Sequence, residues 1–184
     1  MIKKLALIIG FIICLSSCGK DYVYRIEGEL SNLEDQTVYA VFEKDNYKVV
    51  DTVACTKPGQ FQIDQHEAGF HCVTIFFADK EHWVTAYLEP GETVKITGDA
   101  NSPLLLQVKG GRTNDKLTAF KKKIAPLLTE LTNLSNSLNS KDLNDTIEET
   151  DIAARLANVN MQLSEEAIRY VKENPNEEAS VVLI

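Results

Sequence analysis

The chain has 184 residues, of which 44% are hydrophobic and 25% charged, with 19 Lys and Arg against 27 Asp and Glu for a formal net charge of −8. That apolar share is enough to build a core, and the length suits one domain or two small ones. The acidic balance argues against nucleic acid, where phosphates call for clustered Lys and Arg, and against broad adsorption to anionic headgroups.

The first stretch carries Lys3 and Lys4, then Leu5 to Leu15 without a charge, then Ser16, Ser17 and Cys18. Basic start, short apolar run and small residues are the layout of a secretory signal, and the run is shorter than the ~20 residues of a membrane span. Leu15-Ser16-Ser17-Cys18 resembles the lipobox of bacterial lipoproteins, in which the cut falls before the cysteine. The resemblance implies a signal peptide over residues 1–17 and acylation of Cys18, which becomes the first residue of the mature chain. An ordinary signal cut near Ser17 is the other reading. Losing Lys3 and Lys4 takes the body to a net charge of −10. Residues 18–21 then form a lipid-held tether, and the body faces the periplasm from a membrane whose leaflet the single acid of Gly19-Lys20-Asp21 does not identify. Because stable attachment takes about two anchoring signals, the several acyl chains of a mature lipoprotein suffice where one would not.

From Tyr22 to about residue 109 short apolar runs alternate with turn residues, the pattern of an all-β unit. Tyr22 to Gly28 alternates in polarity. Thr37 to Phe42 is β-branched and aromatic without charge, which predicts burial on both faces. Val49 to Ala54 follows, and Phe61 to Asp64 is expected to complete a hairpin with it across Lys57-Pro58-Gly59-Gln60. His71 to Phe77 is the strongest strand signal. Trp83 to Leu88, Thr93 to Thr97 and Leu104 to Val108 supply the rest, giving an antiparallel β-sandwich or open barrel.

At Gly110-Gly111-Arg112 the period changes. Thr113 or Asn114 is placed to cap a helix, and Leu117, Phe120, Ile124, Leu127, Leu131, Leu134 and Leu138 recur at three- and four-residue steps. One helix is expected to residue 139, kinked rather than ended by Pro126, with Lys121 to Lys123 on its solvated face. A second stripe runs through Ile152, Leu156, Val159, Leu163, Ala167 and Tyr170. The two stripes make residues 110–174 an antiparallel helical hairpin, packed on itself and the sheet or open to a partner helix from another chain. Asn174-Pro175-Asn176 stops it, and residues 175–184 read as the start of a further, cut-off element. Val181 to Ile184 either docks onto the core or fronts a longer protein, and the second is preferred. The fold class is α+β.

Screening for chemistry finds no GxSxG, HExxH or phosphate-cradling Gly-Lys-Ser loop, so neither a catalytic set nor a cofactor is expected. His66, His71 and His82 form no metal cluster, since His71 and Cys72 point to opposite faces of one strand. Glu148-Glu149 and Glu165-Glu166 are expected on exposed helix faces. Once the leader and Cys18 are set aside, Cys55 and Cys72 remain, as two buried thiols or a structural disulfide; they form no CxxC. The aromatics Tyr22, Tyr24, Tyr39, Phe76, Phe77, Trp83 and Tyr87 are core residues or a ligand surface.

Ile26-Glu-Gly-Glu-Leu-Ser-Asn-Leu, Thr37-Val-Tyr, Val50-Asp-Thr-Val, Gly59-Gln-Phe, Leu88-Glu-Pro-Gly-Glu, Ile96-Thr-Gly-Asp, Val108-Lys-Gly-Gly-Arg-Thr-Asn-Asp and Asn174-Pro-Asn occur in that order. Together they resemble the uncharacterised N-terminal domain and helical linker of thioredoxin-like, thiol–disulfide interchange lipoproteins of Gram-negative bacteria. The resemblance implies a downstream thioredoxin-like domain in cis holding the family's Trp-Cys-x-x-Cys, a motif this chain lacks, so Cys55 and Cys72 inherit no catalytic role. The expectation is a non-catalytic module that tethers and positions such an oxidoreductase at the membrane. The alternative is a stand-alone cell-envelope lipoprotein binding a peptide, protein or glycan through its β domain.

Overall fold

The computed structural model describes residues 22–34, 37–77, 81–139 and 146–183; Cys18 and the apolar leader lie outside them. In chain order the strands are β1 Tyr24–Ser31, β2 Thr37–Lys44, β3 Tyr47–Ala54, β4 Gln60–Gln65, β5 Cys72–Phe76, β6 Trp83–Tyr87, β7 Thr93–Asp99 and β8 Gln107–Lys109. The helices are α1 Arg112–Lys123, α2 Ala125–Asn139, α3 Thr146–Glu173 and α4 Glu178–Val182.

The strands form two open four-stranded sheets, ordered β4-β1-β7-β8 and β3-β2-β5-β6, and no closed barrel. Alternation explains the core. Ile26, Val38, Ala40, Phe42, Val73, Ile75, Ala86 and Ile96 sit at every second position of their strands and are fully buried. All pairings are antiparallel except one: β1 lies parallel to β7, with Arg25 opposite Thr93 and Ser31 opposite Asp99. The first strand of the body is therefore an inner strand, flanked by β4 and β7.

Several local expectations change. β2 alternates instead of burying both faces, because Tyr39 and Val41 are only half-covered. β3 and β4 form no hairpin. β3 pairs with β2 and β4 with β1, so the turn at Lys57–Gln60 carries the chain from one sheet to the other. The run from Leu104 to Val108 divides into a 3-10 turn at Pro103–Leu105 and the short strand β8, since Pro103 has no N–H for a ladder.

The long helix is two helices. Ile124, at φ −98° and ψ 10°, leaves the helical path between α1 and α2. Pro126 lies in the first turn of α2, where its missing N–H costs least, and it cannot continue α1. Leu127, Leu131 and Leu134 of α2 pack with Ile152, Leu156, Val159 and Leu163 of α3. Ion pairs tie α3 to both preceding helices, Lys123 of α1 to Glu166 (3.2 Å) and Glu130 of α2 to Arg155 (3.2 Å). Phe120, Ile124 and Leu128 form a third apolar cluster with Tyr170 and Leu183.

Candidate functional site

Two features stand where sheets meet helices. The first is the joint at Gly110-Gly111. Both glycines have positive φ, +99° and +81°. A Cβ at Gly110 would stand 2.1 Å from the Thr93 carbonyl oxygen, so the chain turns there only without a side chain. The turn delivers α1 across one edge of each sheet, because β6 and β8 are both outermost strands.

An edge strand has backbone groups with no neighbouring strand to pair them. Two side chains of α1, one turn apart on the same face, pair some of them. The Tyr87 N–H of β6 donates to Asn114 Oδ1 (2.9 Å), and Asn114 Nδ2 donates to the Tyr87 carbonyl (2.7 Å) and the Gly110 carbonyl (2.6 Å). The Val108 N–H of β8 donates to Thr118 Oγ1 (3.1 Å), whose hydroxyl donates to the Val108 carbonyl (2.5 Å). Asn114 and Thr118 are buried, with Asn114 only 1% exposed and both its amide protons used. Glu89, in the turn after β6, accepts from the Arg112 N–H (2.7 Å) and ties the start of the helix down.

The sequence assigns Thr113 and Asn114 to a cap; the structure corrects this. The N-cap is Gly111, which has no side chain to cap with, and both residues lie inside the first turn. The Thr113 hydroxyl donates to Glu178 of α4 (2.7 Å). Glu177, held by Lys116 (3.1 Å) and Arg112 (3.3 Å), keeps its carboxyl below the usual range, chiefly through the Lys116 hydrogen bond.

The second feature is a groove of about 350 Å³ between β6, the Pro103–Leu105 turn and helices α1, α2 and α4. Its walls include Trp83, Leu104, Phe120, Ile124 and Leu183. Trp83 is 53% exposed, its ring 6.1 Å from that of Phe76. Lys121 is the one charged side chain in the lining. The sequence places it on the solvated face, but it is half-buried, and burial pushes its pKa down. Its Nζ reaches the Leu106 carbonyl at 3.4 Å, a long contact. Such a lining can hold an apolar group beside an ammonium.

The other candidate residues separate. Tyr24 and Phe77 are core side chains at 2% exposure, Tyr22 lies under the Arg25 guanidinium (4.0 Å), and Trp83 alone of the seven aromatics is largely exposed on the groove. Cys55 and Cys72 are separate, half-buried thiols with no disulfide between them. Cys55 packs against the core of the two sheets, and burial pushes the Cys72 thiol up. His71 Nε2 meets Asp45 (2.7 Å) on the surface. Among the described residues no three of His, Cys, Asp and Glu gather as a metal site. Glu166 is not on a free face; it pairs with Lys123 and Arg169.

Sequence reasoning gave Asn114 and Lys121 other roles and assigned none to Thr118 and Glu89. The available signal was two polar residues four apart directly after Gly-Gly, on the side of α1 that also carries Leu117 and Lys121.

A family model described as a domain of unknown function, DUF4369, matches residues 24–117. The matched span takes in all eight described strands and the first half of α1, with the Gly110–Asn114 joint inside it. No curated protein and no solved structure matches the chain.

Proposed function

The chain belongs to the DUF4369 family, whose domain is of unknown function, and from that premise we propose that it is the non-catalytic, lipid-anchored positioning module of a thioredoxin-like envelope oxidoreductase. Cys18 carries the lipid, the two sheets form the body, and the helical hairpin of α2 and α3 is the spacer. The reactive Trp-Cys-x-x-Cys belongs to a thioredoxin-like domain downstream in cis, facing the periplasm.

The observation that carries this reading is the joint. A module that positions another domain must pass orientation from sheet to helix without slack. Asn114 and Thr118 make five hydrogen bonds, four of them to edge-strand backbone, and a turn with no room for a side chain at Gly110 fixes the approach of α1. Holding a reactive domain near membrane partners raises its effective concentration without any new contact.

The reading has two tests. In cells that export the full chain, metabolic labelling with a fatty acid and membrane fractionation should find the protein acylated and membrane-bound, and Cys18→Ala should abolish both. A soluble, unlabelled wild type would remove the anchor. Spin labels on Gln62→Cys and Met161→Cys, with Cys55→Ser and Cys72→Ala, should give one narrow distance distribution between sheet and helix that Asn114→Ala broadens. A distribution already broad with Asn114 present would remove the positioning role.

A further inference from the structure

The groove has a composition that packing alone does not explain. Apolar residues from β6, β8, the Pro103–Leu105 turn, α1, α2 and α4 form its walls, and one charged side chain, that of Lys121, belongs to the lining. Among the described residues no carboxylate pairs with that ammonium; its recorded partner is the Leu106 carbonyl at 3.4 Å. The chain as a whole is acidic, at −8, yet the one charge that the lining carries is positive. A buried charge is costly unless an opposite charge or good hydrogen bonds meet it. The volume, about 350 Å³, falls in the range of small-ligand sites, about 300–1,000 Å³.

We propose that this groove binds a small amphiphile with an apolar chain and a single carboxylate, of which a medium-chain fatty acid is the simplest. The chain lies along Trp83, Leu104, Phe120 and Ile124, and the carboxylate accepts a hydrogen bond from Lys121 Nζ. A neutral alcohol of the same length satisfies the walls and can accept from the ammonium, but it brings no opposite charge. The inference stands on the groove alone and does not rest on the positioning role.

Trp83 is the single tryptophan of the chain and half-lines the opening, so the protein carries its own reporter. The full chain is titrated with laurate below its micelle concentration and in parallel with dodecanol. Laurate should shift the Trp83 emission to shorter wavelength and saturate at one per chain, binding at least about tenfold tighter than dodecanol, the size of effect expected of a charge-assisted hydrogen bond. Lys121→Met should erase that preference while leaving dodecanol binding in place, and Lys121→Arg should keep it. A signal that never saturates with laurate, or a wild type that binds dodecanol as tightly, would overturn the proposal. So would a folded Lys121→Met that still prefers laurate.

Discussion

At the scale of single residues, Asn114 holds more of the architecture than its size suggests. Its amide meets three backbone groups, two of them on the edge strand β6, and leaving buried polar groups unmet costs about 1–3 kcal/mol each. Asn114→Ala should therefore lower unfolding free energy by about 3 kcal/mol or more, read as a fall in the urea midpoint. Gly110→Ala should be destabilising by more than about 1 kcal/mol, because the new methyl meets the Thr93 carbonyl at a backbone angle L-residues avoid. Arg25 and Asp64 face each other across β1 and β4 through two hydrogen bonds of 2.6 and 2.7 Å. That contact holds the Asp64 carboxyl below its usual range, chiefly by the Arg25 hydrogen bond. The folded chain thus takes up this proton less readily than the unfolded one. The pair's contribution is complete above the ordinary carboxylate pKa and drains away as pH falls through the lowered value. Urea midpoints of wild type and Asp64→Asn, apart at neutral pH, should converge in acid. Little of this scale was legible beforehand. Asn114 was visible as a polar residue after two glycines, but a cap and an edge-strand clasp call for the same residue type, and only tertiary placement separates them.

At the scale of elements, the period-two and period-3.6 patterns located all eight strands and the main helical segments, because burial on one face leaves its spacing in the chain. Pairing was less legible. β3 and β4 read as a hairpin because they flank a Pro-Gly turn, yet a turn fixes only where the chain reverses and not which sheet receives it. The break at Ile124 escaped for a related reason: the apolar stripe crosses it unbroken, since α1 and α2 share one buried flank. Of the candidate site, the aromatic Trp83 and Tyr87 were visible, but Lys121 was not, because its charge matched the two exposed lysines that follow it. Val159, 2% exposed, is the most deeply buried side chain between α2 and α3. Val159→Ala should lower stability by about 2 kcal/mol by opening a cavity there, seen as a loss of helical ellipticity in mild urea before the sheets unfold.

For the whole molecule, burial is unevenly shared. One continuous cluster joins both sheets, while the helices rest on two clusters of three buried residues each. Native-state hydrogen exchange should find α2 and α3 opening well below the free energy at which β1, β2 and β5 exchange; equal protection throughout would contradict this division. Mixed periodicity had already indicated an α+β body. What they could not indicate was that one helix would clamp both sheet edges, because that depends on contacts between segments far apart in sequence. The parallel pairing of β1 with β7 carries a last consequence, for the order of events at birth. The earliest strand to emerge from any ribosome or export channel is an interior one, and its second neighbour arrives only when Thr93 to Asp99 has been delivered. Until then β1 presents an open flank, so chains ending short of β7 should bind a holding chaperone more tightly than the full chain, and closure of that seam should be among the slower steps of refolding.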